Sequence, residues 1–186
     1  FLMIIKETEL SGVFLITPQI FEDNRGYFFE SYKSDHFYQN SIPSKFVQEN
    51  QSFSKKGTFR GLHYQLNYPQ GKLISVAKGS VVDFAVDIRK GSPTFGKSLS
   101  FTIDDVKHES LFISKGFAHG FYVNSDEAVL IYKCTESYHP EDEYGINLND
   151  PELGLNLDDK KLIVSEKDQL LPNLENINKD LLPIFK

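Results

Sequence analysis

The stretch GKLISVAKGSVVDFAVDIRKGSPTFG, residues 71–96, does most to restrict the fold. Lys78-Gly79-Ser80 interrupts it and Gly91-Ser92-Pro93 closes it, the punctuation of a hairpin followed by a loop. Val82, Phe84, Val86 and Ile88 share one face at the two-residue period of a strand, and Val81, Asp83, Ala85 and Asp87 share the other. SLSFTI (98–103) and ESLFIS (109–114), joined by the polar DDVKH, continue the pattern. GFAHGFYV (116–123) then leads through the turn NSDE to AVLIYKCTESY (128–138). Many short strands at near-regular spacing predict a mainly β chain, a sandwich or jelly roll. The aromatic residues agree: 16 Phe and 9 Tyr without a Trp suit a pleated surface. Two stretches read as helical, SYKSDHFYQNS at 31–41 and the residues after SEKD (165–168), where Ser165 can cap and Asp168 takes the third position of the first turn. From about residue 139 onward Asn, Asp, Pro and Leu dominate, which predicts a tail of loops and short helices wrapped on the sandwich.

The 186 residues suit one domain with a proper core, and 40% hydrophobic content is that of a globular chain. No solenoid-length repeat or low-complexity tract is visible. A net charge of −6 excludes a general nucleic-acid binder but leaves room for a small anion held by local cations. Cys134, the single cysteine, cannot form an intrachain disulfide, in keeping with a reducing compartment. The start FLMIIKE has neither a basic n-region nor a long apolar run, so the expected setting is soluble and cytoplasmic, without signal peptide or membrane span.

Chemistry centres on RGLHYQ, residues 60–65, and on the role of His63. Many jelly rolls hold a metal with His-X-His plus a later Glu and His, but here the partner position is Gln65, whose neutral amide is a poor ligand for a transition metal. His119 adds only a second imidazole, and His36, His108 and His139 sit in no ligand-spaced motif, so no metal and no other cofactor is expected. Either histidine alone reads as a hydrogen-bonded strand residue. Their company favours a general base: Arg60, Lys72 and Lys167 offer cations, and Glu30, Asp83, Glu143 and Asp168 offer carboxylates that can orient a neutral imidazole. Tyr132 and Tyr138 fall on the same face of one expected strand, and periodicity does not choose between them as an acid. Asp168 by itself reads equally as a helix-capping residue.

The ordered segments FEDNRGYFFES (21–31), FVQENQSFSKKGTFRGLHYQ (46–65), residues 70–96, GFAHGF (116–121), AVLIYKCTESY (128–138), LNDPELGL (148–155) and SEKD (165–168) resemble the dTDP-4-dehydrorhamnose 3,5-epimerase family. The resemblance covers about residues 4–172. It implies a cupin-type double-stranded β-helix (jelly roll) with an N-terminal strand extension and short C-terminal helices. It implies one domain over 1–186, with a core at about 45–145, the extension at about 1–44 and the tail at about 146–186. The implied activity is metal-free epimerisation at C3 and C5 of dTDP-4-dehydro-6-deoxy-D-glucose; a C3-only or C5-only epimerase of the same sugar is the nearest alternative. A metal-dependent cupin oxygenase and a non-catalytic sugar-binding jelly roll stand further off. His63 matches the family's base, Asp168 the carboxylate that orients it, Tyr132 the opposed acid and Lys72 the cation at the ketone oxygen. Arg25, Glu30, Gln48, Glu49, Asn50, Arg60, His119, Glu143 and Lys167 match positions that hold the nucleotide-sugar, and Lys72 counts among them too. A homodimer that exchanges N-terminal segments is also implied, with no nucleic-acid or membrane partner. Three features depart from the family pattern: Glu49 where Asp is usual, ISKG at 113–116, and Leu148 and Leu157 where tryptophans are common.

Overall fold

In the structure, a computed structural model that describes residues 2–155, 157 and 161–185, the apolar alternation resolves into two facing antiparallel sheets. The chain runs β1 (Met3–Glu7), β2 (Val13–Pro18), β3 (Phe21–Asp23), β4 (Gly26–Phe28), α1 (Ser34–Gln39), β5 (Gln48–Lys55), β6 (Phe59–Gln65), β7 (Lys72–Lys78) and β8 (Ser80–Asp87). It continues through β9 (Ser98–Asp104), β10 (Ser110–Ile113), β11 (Phe117–Val123), β12 (Glu127–Cys134), β13 (Glu143–Gly145) and α2 (Glu166–Gln169), with short 3-10 turns in the tail. One sheet has the order β1-β2-β10-β7-β12-β5 and the other β13-β6-β11-β8-β9. From β5 onward every step except β8 to β9 crosses between the sheets, which is jelly-roll connectivity. The N-terminal strands β1 and β2 extend the six-stranded sheet, and β3 and β4 pair as a separate hairpin.

Residues 71–96 depart from the expected hairpin. β7 and β8 do not pair: they lie in opposite sheets, and Lys78-Gly79-Ser80 is a corner. Gly79 takes φ +80°, and a Cβ there would stand 2.1 Å from the Glu127 carbonyl oxygen of β12. The corner is stitched by Ser125, whose hydroxyl accepts the Ser80 N–H at 2.8 Å. A second departure concerns residues 128–138: the strand ends at Cys134, so Tyr138 lies beyond it rather than on the same strand as Tyr132.

The faces of β8 divide as alternation requires. Val81 and Ala85 turn into the sandwich, where they meet Ile74, Val76, Ile103, Leu111, Val123 and Leu130. Phe84, Val86 and Ile88 turn outward and are covered by Leu153, Leu174, Ile177 and Leu182 of the tail. Leu148 is buried in this second cluster and Leu157 packs against it, so both leucines serve the tail's core. A third cluster joins Phe37 of α1 and Ile42 to Met3, Ile16, Leu73 and Phe112 on the outer side of the other sheet. Burial of side chains this size stabilises by about 1.5–3 kcal/mol each. Among the described residues no helix is long and apolar enough to cross a membrane.

The Gly79 corner is testable. Gly79→Ala forces a left-handed backbone on a residue with a side chain and drives that side chain into the β12 carbonyl. Urea unfolding is expected to show a loss of about 1–3 kcal/mol with an unchanged m-value; wild-type stability would mean that the corner opens freely.

Candidate active site

Arg60 and His63 are three residues apart on β6, an odd spacing that places side chains on opposite faces of a regular strand. Both nevertheless line the same cavity. The reason is a bulge. His119 lies opposite His63 and Phe121 opposite Arg60, so Gly120 alone faces both Gly61 and Leu62. Phe59, Leu62 and Tyr64 accordingly turn outward to the tail, while Arg60 and His63 turn inward. The bulge needs bare backbone: a Cβ on Gly61 would stand 2.6 Å from the Gly120 Cα, and one on Gly120 would stand 2.7 Å from the Arg60 carbonyl oxygen.

The cavity, about 770 Å³, opens between the sheets and includes His63, Lys72, His119, Tyr132, Glu143 and Asp168. A smaller recess of about 260 Å³ adjoins it, bounded by Gln48, Asn50, Gln65 and Gln70, with His63, Lys72 and Tyr132 common to both. His63 and His119 come from the five-stranded sheet; Lys72 and Tyr132 come from the six-stranded sheet across the cavity.

Asp168 reaches the cavity because α2 starts at the right place. Ser165 caps the helix, its hydroxyl accepting the Asp168 N–H at 3.1 Å, so the carboxylate is left free to point at His63. Asp168 Oδ1 accepts from His63 Nε2 at 2.8 Å, and Oδ2 accepts the Gly61 N–H at 3.3 Å. Burial works against ionisation of Asp168, but the bonds from His63 and Gly61 outweigh it and hold the carboxyl below the usual aspartate range. An ionised Asp168 fixes the Nε2–H tautomer and leaves the Nδ1 lone pair for the cavity. Glu143 Oε1 stands 3.6 Å from Nδ1, too far for a hydrogen bond. The other Glu143 oxygen is paired with Lys167 and accepts from the Tyr138 hydroxyl at 3.2 Å.

On the facing sheet, burial pushes the Lys72 ammonium below the ordinary lysine value, against the pull of Cys134, Glu143 and Asp83. Burial likewise lifts the Tyr132 hydroxyl above the ordinary tyrosine value, offset in part by a hydrogen bond with Asn50. Beneath them His119 Nε2 lies 2.9 and 3.0 Å from the two oxygens of buried Asp83.

The structure thus brings together His63, Asp168, Lys72, Tyr132, Arg60, His119, Glu143 and Lys167, with Gln48 and Asn50 in the adjoining recess. Three of the expected residues stand apart. Glu49 alternates to the outer face of β5 and pairs there with Lys133. Arg25 sits at the tip of the β3–β4 hairpin, paired with Asp23 at 2.5 Å and 85% exposed, and neither Arg25 nor Glu30 lines the cavity or the recess. Two residues weighed in the sequence but left out of the expected site also belong to it. Asp83 holds His119; its inward position follows from the alternation of β8, which makes it an ionisable residue aimed into a core. Tyr138 lines the cavity mouth on a loop held by three glutamines. Gln48 accepts the Tyr138 N–H at 2.8 Å, Gln65 accepts the His139 N–H at 2.8 Å, and Gln70 donates to the Glu136 carbonyl at 2.9 Å. Gln65, at the position where other jelly rolls carry a ligand histidine, therefore works as a loop clamp.

The dTDP-4-dehydrorhamnose 3,5-epimerase family model matches residues 7–176. The epimerase of that name from Methanothermobacter thermautotrophicus is 45% identical over 166 residues, 88% of this chain and 90% of the relative. Its counterpart from Escherichia coli is 41% identical over 178 residues, 94% of this chain and 96% of the relative. The crystal structure of the Legionella pneumophila dTDP-6-deoxy-D-glucose-3,5-epimerase, in complex with dTDP-4-keto-L-rhamnose, superposes with a TM-score of 0.95 at 43% identity and covers 99% of both chains. With a histidine–carboxylate pair on one sheet facing a lysine and a tyrosine on the other, in a jelly roll matched along nearly its whole length, this chain belongs to the dTDP-4-dehydrorhamnose 3,5-epimerase family.

Proposed function

We propose that His63 and Tyr132 invert C3 and C5 of dTDP-4-dehydro-6-deoxy-D-glucose in turn, giving dTDP-4-dehydro-L-rhamnose. The observation that carries this reading is the placement of the two groups on opposite walls of one cavity. A proton next to a ketone leaves only when the enolate oxygen is stabilised, and loss of one such stabilising donor typically costs about 10²–10³ in rate. Lys72, whose proton is loosened by burial, is suited to that oxygen. His63 Nδ1 takes the carbon-bound proton while Asp168 balances the imidazolium charge, and the electron pair left behind forms the enolate. Tyr132, protonated throughout the neutral range, then delivers a proton to the far face of the same carbon. Arg60 and Lys167, with Gln48, Asn50, His119 and Glu143, are the groups suited to the sugar and its diphosphate; the planar fork of Arg60 can engage two phosphate oxygens at once. The reading requires neither a metal nor another cofactor.

The N-terminal segment supports a homodimer. Ile4, Phe21, Tyr27 and Phe28 are exposed apolar side chains on β1, β3 and β4, and Arg25 extends from the same hairpin. A second copy that receives this segment covers the apolar residues and gains Arg25 for its own nucleotide-sugar. Work on a nucleotide-sugar supports a cytoplasmic enzyme, and two sheets that share one core support a single-domain chain.

In heavy water the wild-type enzyme is expected to place deuterium at both C3 and C5, as read by proton NMR. His63→Ala abolishes exchange at both carbons, whereas Tyr132→Phe retains some exchange with inversion impaired. Deuterium at C3 alone would point to a C3-only epimerase, and unimpaired exchange in His63→Ala would remove the base.

Asp168→Asn is expected to lower kcat by roughly 10²–10⁴-fold with little change in KM. It also alters acid stability in a definite direction. A carboxyl whose native pKa is depressed contributes stability that is complete above its unfolded value, near 3.9, and is lost as pH falls below that through the native value. Unfolding below about pH 4 should therefore lose part of its pH dependence in Asp168→Asn; full turnover with only a lower melting temperature would reduce Asp168 to a structural residue.

Arg25→Ala is expected to weaken dTDP-sugar binding by roughly tenfold, about 1.4 kcal/mol, in calorimetry while sedimentation still shows a dimer. Unchanged binding would take Arg25 out of the site.

A further inference from the structure

Epimerising two carbons with one base and one acid creates a difficulty halfway through. After the first inversion a C–H bond has broken toward His63 and a new one has formed from the Tyr132 hydroxyl, so the enzyme holds an imidazolium and a tyrosinate. The second inversion needs both groups reset: one proton must leave Nδ1 and one must reach Tyr132. Asp168 is a poor outlet. Its side chain is 6% exposed, and its two oxygens already accept from His63 Nε2 and Gly61. On the other side of the ring the situation differs. Glu143 Oε1 stands 3.6 Å from Nδ1, leaving the lone pair open to substrate yet within reach after a small side-chain rotation. Its second oxygen touches the Tyr138 hydroxyl and the Lys167 ammonium, and these two side chains lie at the mouth, Lys167 with 60% of its side chain exposed. His63 is thus flanked by two carboxylates with opposite connections, one into the protein and one toward solvent.

We infer that Glu143 is a proton-transfer residue, which takes the proton from His63 Nδ1 between the two inversions and passes it to water at the cavity mouth. The step balances without any co-reactant. The Nδ1–H bond breaks, its pair returns to nitrogen as the lone pair, and the proton joins Glu143 as a carboxylic acid. That acid loses the proton to water beside Tyr138 and Lys167, while the tyrosinate takes one from water, so the net proton count over the reset is zero. The role rests on His63 being the base and goes beyond the substrate contact expected of Glu143: a contact residue affects both inversions alike, whereas a proton outlet governs the second.

The test is a single turnover in heavy water with enzyme in excess over dTDP-4-dehydro-6-deoxy-D-glucose, quenched at intervals and analysed by NMR for deuterium and configuration at C3 and C5. Wild type is expected to pass to the doubly exchanged sugar without a build-up of the singly exchanged one. Glu143→Gln should slow the second exchange about tenfold more than the first, so that singly inverted, singly deuterated sugar accumulates. Added formate, a small carboxylate able to accept the Nδ1 proton, should restore the second exchange in proportion to its concentration. Glu143→Asp, which keeps the acid but shortens the reach, should show the same accumulation to a smaller degree and the same rescue. Equal slowing of both exchanges, or a raised KM with no accumulation and no response to formate, overturns the proposal. Undiminished exchange in His63→Ala overturns the base assignment itself, and this proposal with it; a Glu143 outcome of equal slowing leaves that assignment standing.

Discussion

The contact between Gly61 and Gly120 is the constraint on which the site depends. A strand can present two polar side chains to the same cavity only at even spacing, and Arg60 and His63 are not so spaced. The extra residue in β6 repairs the parity. It costs backbone room that only two glycines facing each other supply, since a side-chain carbon on either would sit within 2.7 Å of the opposing backbone. Parity serves three purposes at once. Leu62 stays in the outer cluster, His63 comes level with His119, and the Gly61 N–H is aimed at Asp168. The bulge therefore couples the strand that carries His63 to the helix that carries Asp168. A change at Gly120, which has no polar group of its own in the cavity, would be felt at His63.

From that fixed point the electrostatics follow in order. Asp168 is buried yet stays ionised because it is bonded by the groups around it, and an ionised Asp168 holds one nitrogen of His63 as a donor. The other nitrogen then keeps its lone pair toward the cavity. Burial acts in a complementary way across the cavity, loosening the Lys72 proton and tightening that of Tyr132. A lysine that donates to an enolate and a tyrosine that stays protonated until an enolate forms are what stepwise proton transfer needs near neutral pH. Burial is the largest cause of the shift at both groups, and it moves both in the useful direction.

Much of this was legible in the sequence, and what was not has a physical reason. The inward and outward faces of β8 could be read directly, because alternation is a local property of an extended backbone. The Ser165 cap was legible for the same reason. The corner at Gly79 was not. A hairpin and a corner both call for a residue with positive φ, and what separates them is the Glu127 carbonyl packed against Gly79 from another strand. The end of β12 was hidden in a similar way. TESY continues the alternation of the strand, but Thr135, Gln48 and Gln65 satisfy backbone N–H groups around this turn with side chains, releasing the chain from the ladder. Parity also misleads where it is applied without the partner strand. It rightly sets Glu49 on the outer face between Gln48 and Asn50, but it would have parted Arg60 from His63. The hint was Gly61 itself, a glycine inside a strand, which marks a bulge as often as a weakness.

A sandwich site also explains why the chemistry is inversion and not mere exchange. A base and an acid on neighbouring strands of one sheet would approach a sugar ring from the same side, and a proton removed and returned there leaves the configuration unchanged. Two sheets packed face to face lie roughly 10 Å apart, which leaves space for a ring between side chains reaching in from each. His63 stands on the wall formed by β6 and β11, Tyr132 on the wall formed by β7 and β12, so a ring lying between them would present opposite faces to the two groups. Lys72 shares the wall of Tyr132, so in the proposed mechanism it would meet the ketone oxygen from the side that returns the proton. On the proposed roles, sheet membership sets the stereochemical outcome before any detail of distance, and the bulge at Gly61 makes it possible, because a regular β6 would turn either Arg60 or His63 away from the cavity. The jelly roll supplies two walls; the glycine pair turns His63 inward from one of them.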